Sequence, residues 1–279
     1  MESKVRTVVL ISDLHCGSAL GLCPSRGVAL DGGGWYQPTR VQRKIWTHWE
    51  EFWGQWVPRE TEGEPYVLIV NGDAIDGEPH RSKALISSNV ATQADIAYEC
   101  LAPCVDRAVA TYMTRGTEAH VGKSAEQEEL LGRRLGVEVD ANGFSTRDEL
   151  WMDLAGHLGH ITHHVATTTS WMYESTAPWR EVVLCLESAV RSGQRAPEWI
   201  ARAHRHREFS GRIYTADGRV VVVVTPGWQA KTPYVYRTAA RNESPHFGGS
   251  IVRVSSKGEL YAESFVRFLR REQADIVTV

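Results

Sequence analysis

"TVVLISDLHCGS" (residues 7–18) joins a β-rich apolar run to an acid, an imidazole and a thiol: Asp13, His15 and Cys16. A short run of this kind, apolar at odd and even positions alike, predicts a strand buried on both faces. The same arrangement recurs along the chain. "YVLIV" (66–70) runs into "NGDAIDG", with Asn71, Asp73 and Asp76, and an expected strand at 108–114 runs into "RGTEAHVG", with Arg115, Thr117, Glu118 and His120. "ITHHVA" carries His163 and His164, and "ARAHRHRE" carries His204 and His206. Ligand-type side chains just past a strand lie where function gathers in α/β folds. The i, i+2 spacing of Asp13/His15 and of His204/His206 predicts that each pair lies on one side of an extended segment. Adjacent His163 and His164 are expected to point opposite ways, so at most one of them is a ligand.

Carboxylates and imidazoles without thiolate suit Mn, Fe, Ni or Zn in a catalytic site better than a structural zinc. There are too many candidates for one tetrahedral ion. Two divalent cations sharing a carboxylate would use them all.

The chain has 279 residues, 42% hydrophobic and 23% charged, enough for a substantial core. A net charge of −3 excludes a broad basic field and leaves only a local groove for nucleic acid. No apolar run reaches membrane-spanning length, and "MESKVRTVVL" lacks the order of a signal peptide. Five scattered cysteines without a CxxC pair fit reduced thiols, so the expected location is the cytoplasm. Helices are expected at 39–57 (bounded by Pro38 and Pro58), 91–107, 123–135 and 178–193, a strand at 199–206, and hairpins at 150–166, 212–227 and 250–268. Strands alternate with helices early and hairpins dominate late. That predicts one α/β domain over residues 1–279, with two mixed sheets face to face and helices outside. Trp46, Trp49, Trp53 and Trp56 form a stripe read as a core face, with a substrate surface or a subunit contact in a homo-oligomer as the alternative.

The order DxH, GDxxD, a Gly-led third motif, a strand-end His and a final HxH resembles the calcineurin-like metallophosphoesterases, over about residues 13–206. "GTEAHVG" and "TPGWQAKTPYV" look similar to phage and prophage members of that family. The resemblance implies a four-layer α/β/β/α sandwich with a dinuclear metal centre. It implies Asp13, His15 and His206 on the first metal, Asp73 bridging both, and His163 and His204 on the second, with Asp76 behind the ligands. The third motif departs from the family's GN followed by His and an acid, in which the Asn binds the second metal and the His assists the leaving group. Here Thr117 stands after Gly116, and His120 comes three residues later. Either the Thr117 hydroxyl replaces the Asn or His120 reaches in. His120, rather than Glu118, is expected to face the centre, with proton donor favoured over ligand as its role.

Arg115, Lys231 and Tyr234, with Arg237 and Arg241, are candidate substrate contacts, and Trp228 or Tyr234 would stack on a base if the substrate is nucleic acid. The expected function is two-metal hydrolysis of a phosphoester, with a nucleotide-like or nucleic-acid-like diester preferred. Hydroxide held between the cations would attack phosphorus in line. A phosphomonoesterase, or a weakly catalytic binding or scaffold protein on the same fold, is the alternative.

Overall fold

The computed structural model describes residues 5–78, 84–167, 171–215, 218–238 and 244–269. β1 (Thr7–Ile11), β4 (Val67–Asn71), β5 (Ala110–Thr114) and the short β6 (Thr146–Arg147) run parallel in one sheet. β12 (Phe247–Val254) lies antiparallel on the other side of β1, and β13 (Leu260–Arg267) completes the order β13-β12-β1-β4-β5-β6. The second sheet has the order β10-β11-β9-β8-β7. Its centre is parallel, β8 (His157–Ile161) beside β9 (Trp199–Arg202) beside β11 (Gly218–Val224). Its edges, β7 (Leu150–Leu154) and β10 (Phe209–Thr215), are hairpin partners of β8 and β11. A small ribbon pairs β2 (Val28–Ala29) with β3 (Trp35–Tyr36).

Alternation along these strands builds four layers. Val8 and Leu10 of β1 and Ile69 of β4 pack against Ile161, Trp199, Ala201, Val221 and Val223 of the second sheet. The residues between them point the other way. Val9, Ile11, Leu68 and Val70 meet α1 (Arg40–Glu51), α3 (Val90–Val105) and α5 (Glu126–Leu135). On the far side, Ile200, Val220 and Val222 meet Val182 of α6 (Thr176–Ser192). The α/β/β/α order is the architecture expected from the sequence. Each fully buried Val, Leu or Ile in these layers contributes about 1.5–3 kcal/mol.

Two expectations about elements are corrected. Pro58 does not end the first helix. After α1 a π-helical turn spans Phe52–Trp56, and α2 (Val57–Thr61) follows with Pro58 in its first turn, where proline's missing N–H is no loss. The strand expected at 199–206 stops at Arg202, because His204 and His206 have left-handed backbone, φ 73° and 52°. Trp49, Trp53 and Trp56 are buried and Trp46 is half-buried against the same cluster, so the tryptophan stripe is a core face with one member at its rim. Trp228 belongs to the same core. It is fully buried and edge-on to Trp49 at 4.9 Å, so it offers no face for stacking a base. No helix among the described residues is long and apolar enough to cross a membrane. The five cysteines are free thiols.

Gly159 of β8 tests the contact between β8 and β9 at the sheet interface. A Cβ there would come within 2.0 Å of the buried Trp199 indole. Gly159→Ala should therefore destabilise the fold by about 1–3 kcal/mol. It should show as a lower urea midpoint with an unchanged slope; an unchanged midpoint would show that the indole is not held there.

Candidate metal centre

The parallel strands of both sheets deliver their C-terminal ends to one place. β1 leads to Asp13 and His15, β4 to Asp73, β5 to Thr117 and His120, β8 to His163, and β9 to His204 and His206. Their ligand atoms form three groups: Asp13, His15 and His206; His15, Asp73 and His120; and Asp73, His163 and His204, with the atoms of each group within 4.8 Å of one another. Asp73 and His15 each belong to two groups, so the Asp73 carboxylate stands between the two ends of the cluster. Asp13 and Asp73 are 0% and 1% exposed.

The backbone there is unusual. Eight non-glycine residues among those described have positive φ, and five are Asp13, His15, Asp73, His204 and His206. Left-handed backbone costs these residue types on the order of 1 kcal/mol each and persists where surroundings impose it. The expected extended geometry of the two i, i+2 pairs is therefore wrong. Their side chains converge because the chain turns at each ligand. Gly116 makes room for this: a Cβ there would stand 2.1 Å from Asp73 Oδ1.

Most of the imidazoles are oriented from behind. His163 Nδ1–H donates to the Asn71 carbonyl at 2.7 Å, and His120 Nδ1–H donates to the Asp76 carbonyl at 2.7 Å. His15 Nδ1 lies 3.0 Å from Asp76 Oδ1, which also accepts from the Gln229 amide at 2.9 Å. Each leaves Nε2 for the cluster, as metal-ligating histidines do when their other nitrogen is held. His15 Nε2 and His206 Nε2 are 3.1 Å apart, and His206 Nε2 is 3.3 Å from Asp13 Oδ1. Asp13 Oδ1 is buried with no hydrogen-bond partner. A buried carboxylate oxygen without a donor, beside two converging imidazole nitrogens, is a donor set for a cation.

Charge in the cluster is strongly coupled. Burial alone would raise the Asp13 carboxyl, but His206 and His163 hold it below the carboxylate range. Asp73 is likewise held well down against burial, chiefly by His163 at 3.0 Å. Burial would lower His163, yet Asp73 and Asp13 raise it to about 10. Burial and the His163 charge lower His204 to about 4.

Thr117 comes into the cluster: its hydroxyl is 3.2 Å from Asp73 Oδ2 and 3.1 Å from His204 Nδ1, and its N–H donates to Asp73 Oδ1 at 2.7 Å. His120 lies on the short α4 (Glu118–Val121) with its ring 4.5 Å from that of His15, whereas Glu118 is exposed. His164 is exposed too, with its ring 5.1 Å from that of His204. Arg115 is turned to β6 and beyond, where its guanidinium pairs with Asp148 at 3.1 Å and donates to Thr146. Lys231 lies over the Tyr236 ring at 4.5 Å, and Tyr234 is partly exposed on α7 (Pro233–Thr238), which also holds Arg237. The segment before them backs the centre, with the Trp228 N–H donating to the Asp13 carbonyl. Arg241 lies outside the described residues. Glu128 and Gln229 are site residues that the motifs do not mark. Glu128 of α5 is fully buried, and burial followed by Asp73 raises its carboxyl to about 7. Its only sequence signal is its place in the first turn of a helix just after the third motif.

No protein-family model matches this sequence, and no curated protein matches it. Solved structures resemble it loosely. An archaeal phosphodiesterase is 12% identical with TM-score 0.41, covering 94% of this chain and 99% of its own. Vps29 of Chaetomium thermophilum is 10% identical with TM-score 0.41, covering 95% and 97%. A metallophosphoesterase from Sphaerobacter thermophilus is 10% identical with TM-score 0.38, covering 96% and 90%. Likenesses this loose carry no weight beside the chain's own side chains.

The His163–Asp73 pair sets a pH dependence. In the metal-free chain the His163 pKa rises from 6.5 to about 10. On the alkaline side the pair's contribution to stability is therefore full at about pH 6.5 and is lost as pH rises through about 10; on the acid side it is lost as Asp73 takes up its proton. A cation that takes His163 must displace its proton, so affinity should climb with pH over this window and binding at pH 8 should release protons. Calorimetry in two buffers of different ionisation enthalpy checks this. Cation uptake without proton release would remove His163 from the ligand set.

Proposed function

We propose that this protein is a dinuclear-metal phosphoester hydrolase that prefers diesters of the nucleotide or nucleic-acid type. The observation that carries the proposal is the three ligand groups linked through His15 and Asp73, with the buried Asp13 Oδ1 making no hydrogen bond. Asp13, His15 and His206 would hold one divalent cation, His163, His204 and Thr117 the other, and Asp73 both. Two such cations supply Lewis acidity to a phosphoryl group and acidify water. The donor set of carboxylate and imidazole suits Mn, with Fe, Ni and Zn also compatible.

The chain's own groups supply the rest. Asp76 orients His15 through Nδ1 and His120 through its carbonyl. With Nδ1–H held by the Asp76 carbonyl, His120 Nε2 is the nitrogen that can give a proton to a leaving alkoxide. Lys231 and Tyr234 follow the segment that backs Asp13 and Asp76, and are assigned to the substrate rim. Arg115 is retained as a phosphate contact only through a change of partner, since Asp148 holds it here.

Chelation should abolish hydrolysis of bis-p-nitrophenyl phosphate, and Mn should restore it better than Mg. Asp73→Asn should lose turnover and cation content while remaining folded by circular dichroism. Full turnover with the metal stripped would overturn the proposal, and a preference for p-nitrophenyl phosphate would make the enzyme a monoesterase.

His120→Ala separates two roles. As a proton donor it should keep both cations and lose about 10²–10⁴-fold on diesters with poor leaving groups, sparing nitrophenyl esters. As a ligand it should lower cation content and slow every substrate alike. Wild-type rates on an unactivated diester would exclude both.

A further inference from the structure

We propose that Glu128 is a positioning residue that locks the turn carrying Asp73 to the turn carrying Thr117. One carboxylate oxygen accepts the Ala74 N–H at 2.9 Å and the other accepts the Gly116 N–H at 2.8 Å. Ala74 directly follows Asp73, and Gly116 directly precedes Thr117. The two turns come from different strands, β4 and β5, and meet only beyond the ladder that pairs Asn71 with Thr114. Glu128 reaches both from α5, packed beneath them.

Only a carboxylate suits this place. Two backbone N–H groups approach a fully buried side chain from two loops, and each needs an acceptor. An amide offers one acceptor, and its NH₂ would face the second N–H; an apolar residue would orphan both. The consequence reaches the cluster through one further bond. With Gly116 held, the Thr117 N–H meets Asp73 Oδ1 at 2.7 Å, and the Thr117 hydroxyl stays near Asp73 and His204. Glu128 thus sets the side of the cluster made by Asp73, His163 and His204. Asp13, His15 and His206 instead contact one another and, through His15, Asp76. Its effect on cations rests on the metal-centre proposal above; its effect on the two turns does not.

The test is Glu128→Gln in the full chain. In the metal-free wild type, the Ala74 and Gly116 amides should be protected from hydrogen exchange. In the variant one or both should exchange at least about tenfold faster while strand amides are unchanged. With Mn and a competing chelator, the wild type should bind two equivalents. The variant should lose about 10–100-fold on one equivalent and clearly less on the other, as expected for removal of a group that orients one side of the cluster while Asp73 reaches both. A uniform loss of stability would not produce that split. Unchanged amide exchange and unchanged affinity for both equivalents would overturn the proposal. If the variant fails to fold, the wild-type amides decide, and rapid exchange at Ala74 and Gly116 overturns it. A wild type that binds no Mn, with both amides protected in wild type and released in the variant, would sink the metal centre and leave the Glu128 lock standing.

Discussion

The structure depends on keeping two carboxylates, Asp13 and Asp73, out of water at the meeting point of two sheets. A buried carboxylate costs several kcal/mol unless opposite charge or donors surround it. The compensation here comes from the other sheet. His163, His204 and His206 follow β8 and β9, while both acids follow β1 and β4. The cluster therefore exists only while the sheets are in register. The apolar layer between them, with Val8, Leu10, Ile69, Trp199 and Val223, is what holds that register. The left-handed backbone at five ligand positions is sustained by the same packing.

Behind the ligands lies a set of polar groups that fixes which atom faces inward. The Asn71 and Asp76 carbonyls take the Nδ1 protons of His163 and His120. The Asn71 side chain is itself held, accepting from Thr114 at 2.6 Å and donating to the Thr162 carbonyl. Asp76 is braced by Gln229, and Glu128 joins two of the turns. The direction of these rings is thus set by the protein's own hydrogen bonds.

Much of this was legible because the signals are local. A β-rich run followed by Asp, His or Asn marks a strand end with ligand-type side chains, and this marked Asp13, His15, Asp73, His163, His204 and His206, which the structure brings together. The hairpin at β7 and β8 followed from alternation around a glycine. Other features were hidden. Arg115 sits beside the third motif in sequence yet turns away to Asp148. Trp228 looked available to a base but fills the core against Trp49. In each case the sequence neighbourhood is the same whichever way the side chain points.

The sequence by itself determined the α/β layering and the inventory of strand-end acids and imidazoles, since apolar periodicity and strand-end chemistry are written over a few consecutive residues. Only the tertiary structure decided how the acids and imidazoles group around His15 and Asp73, that Thr117 enters the cluster, and that Glu128 joins two of its turns. Glu128 lies 54 residues from Ala74, and Asn71 lies 92 from His163. A carboxylate in a charged helix carries no mark of the backbone N–H it will meet. That partner is chosen when two strands pair and a helix packs beneath them, by the requirement that every buried donor find an acceptor.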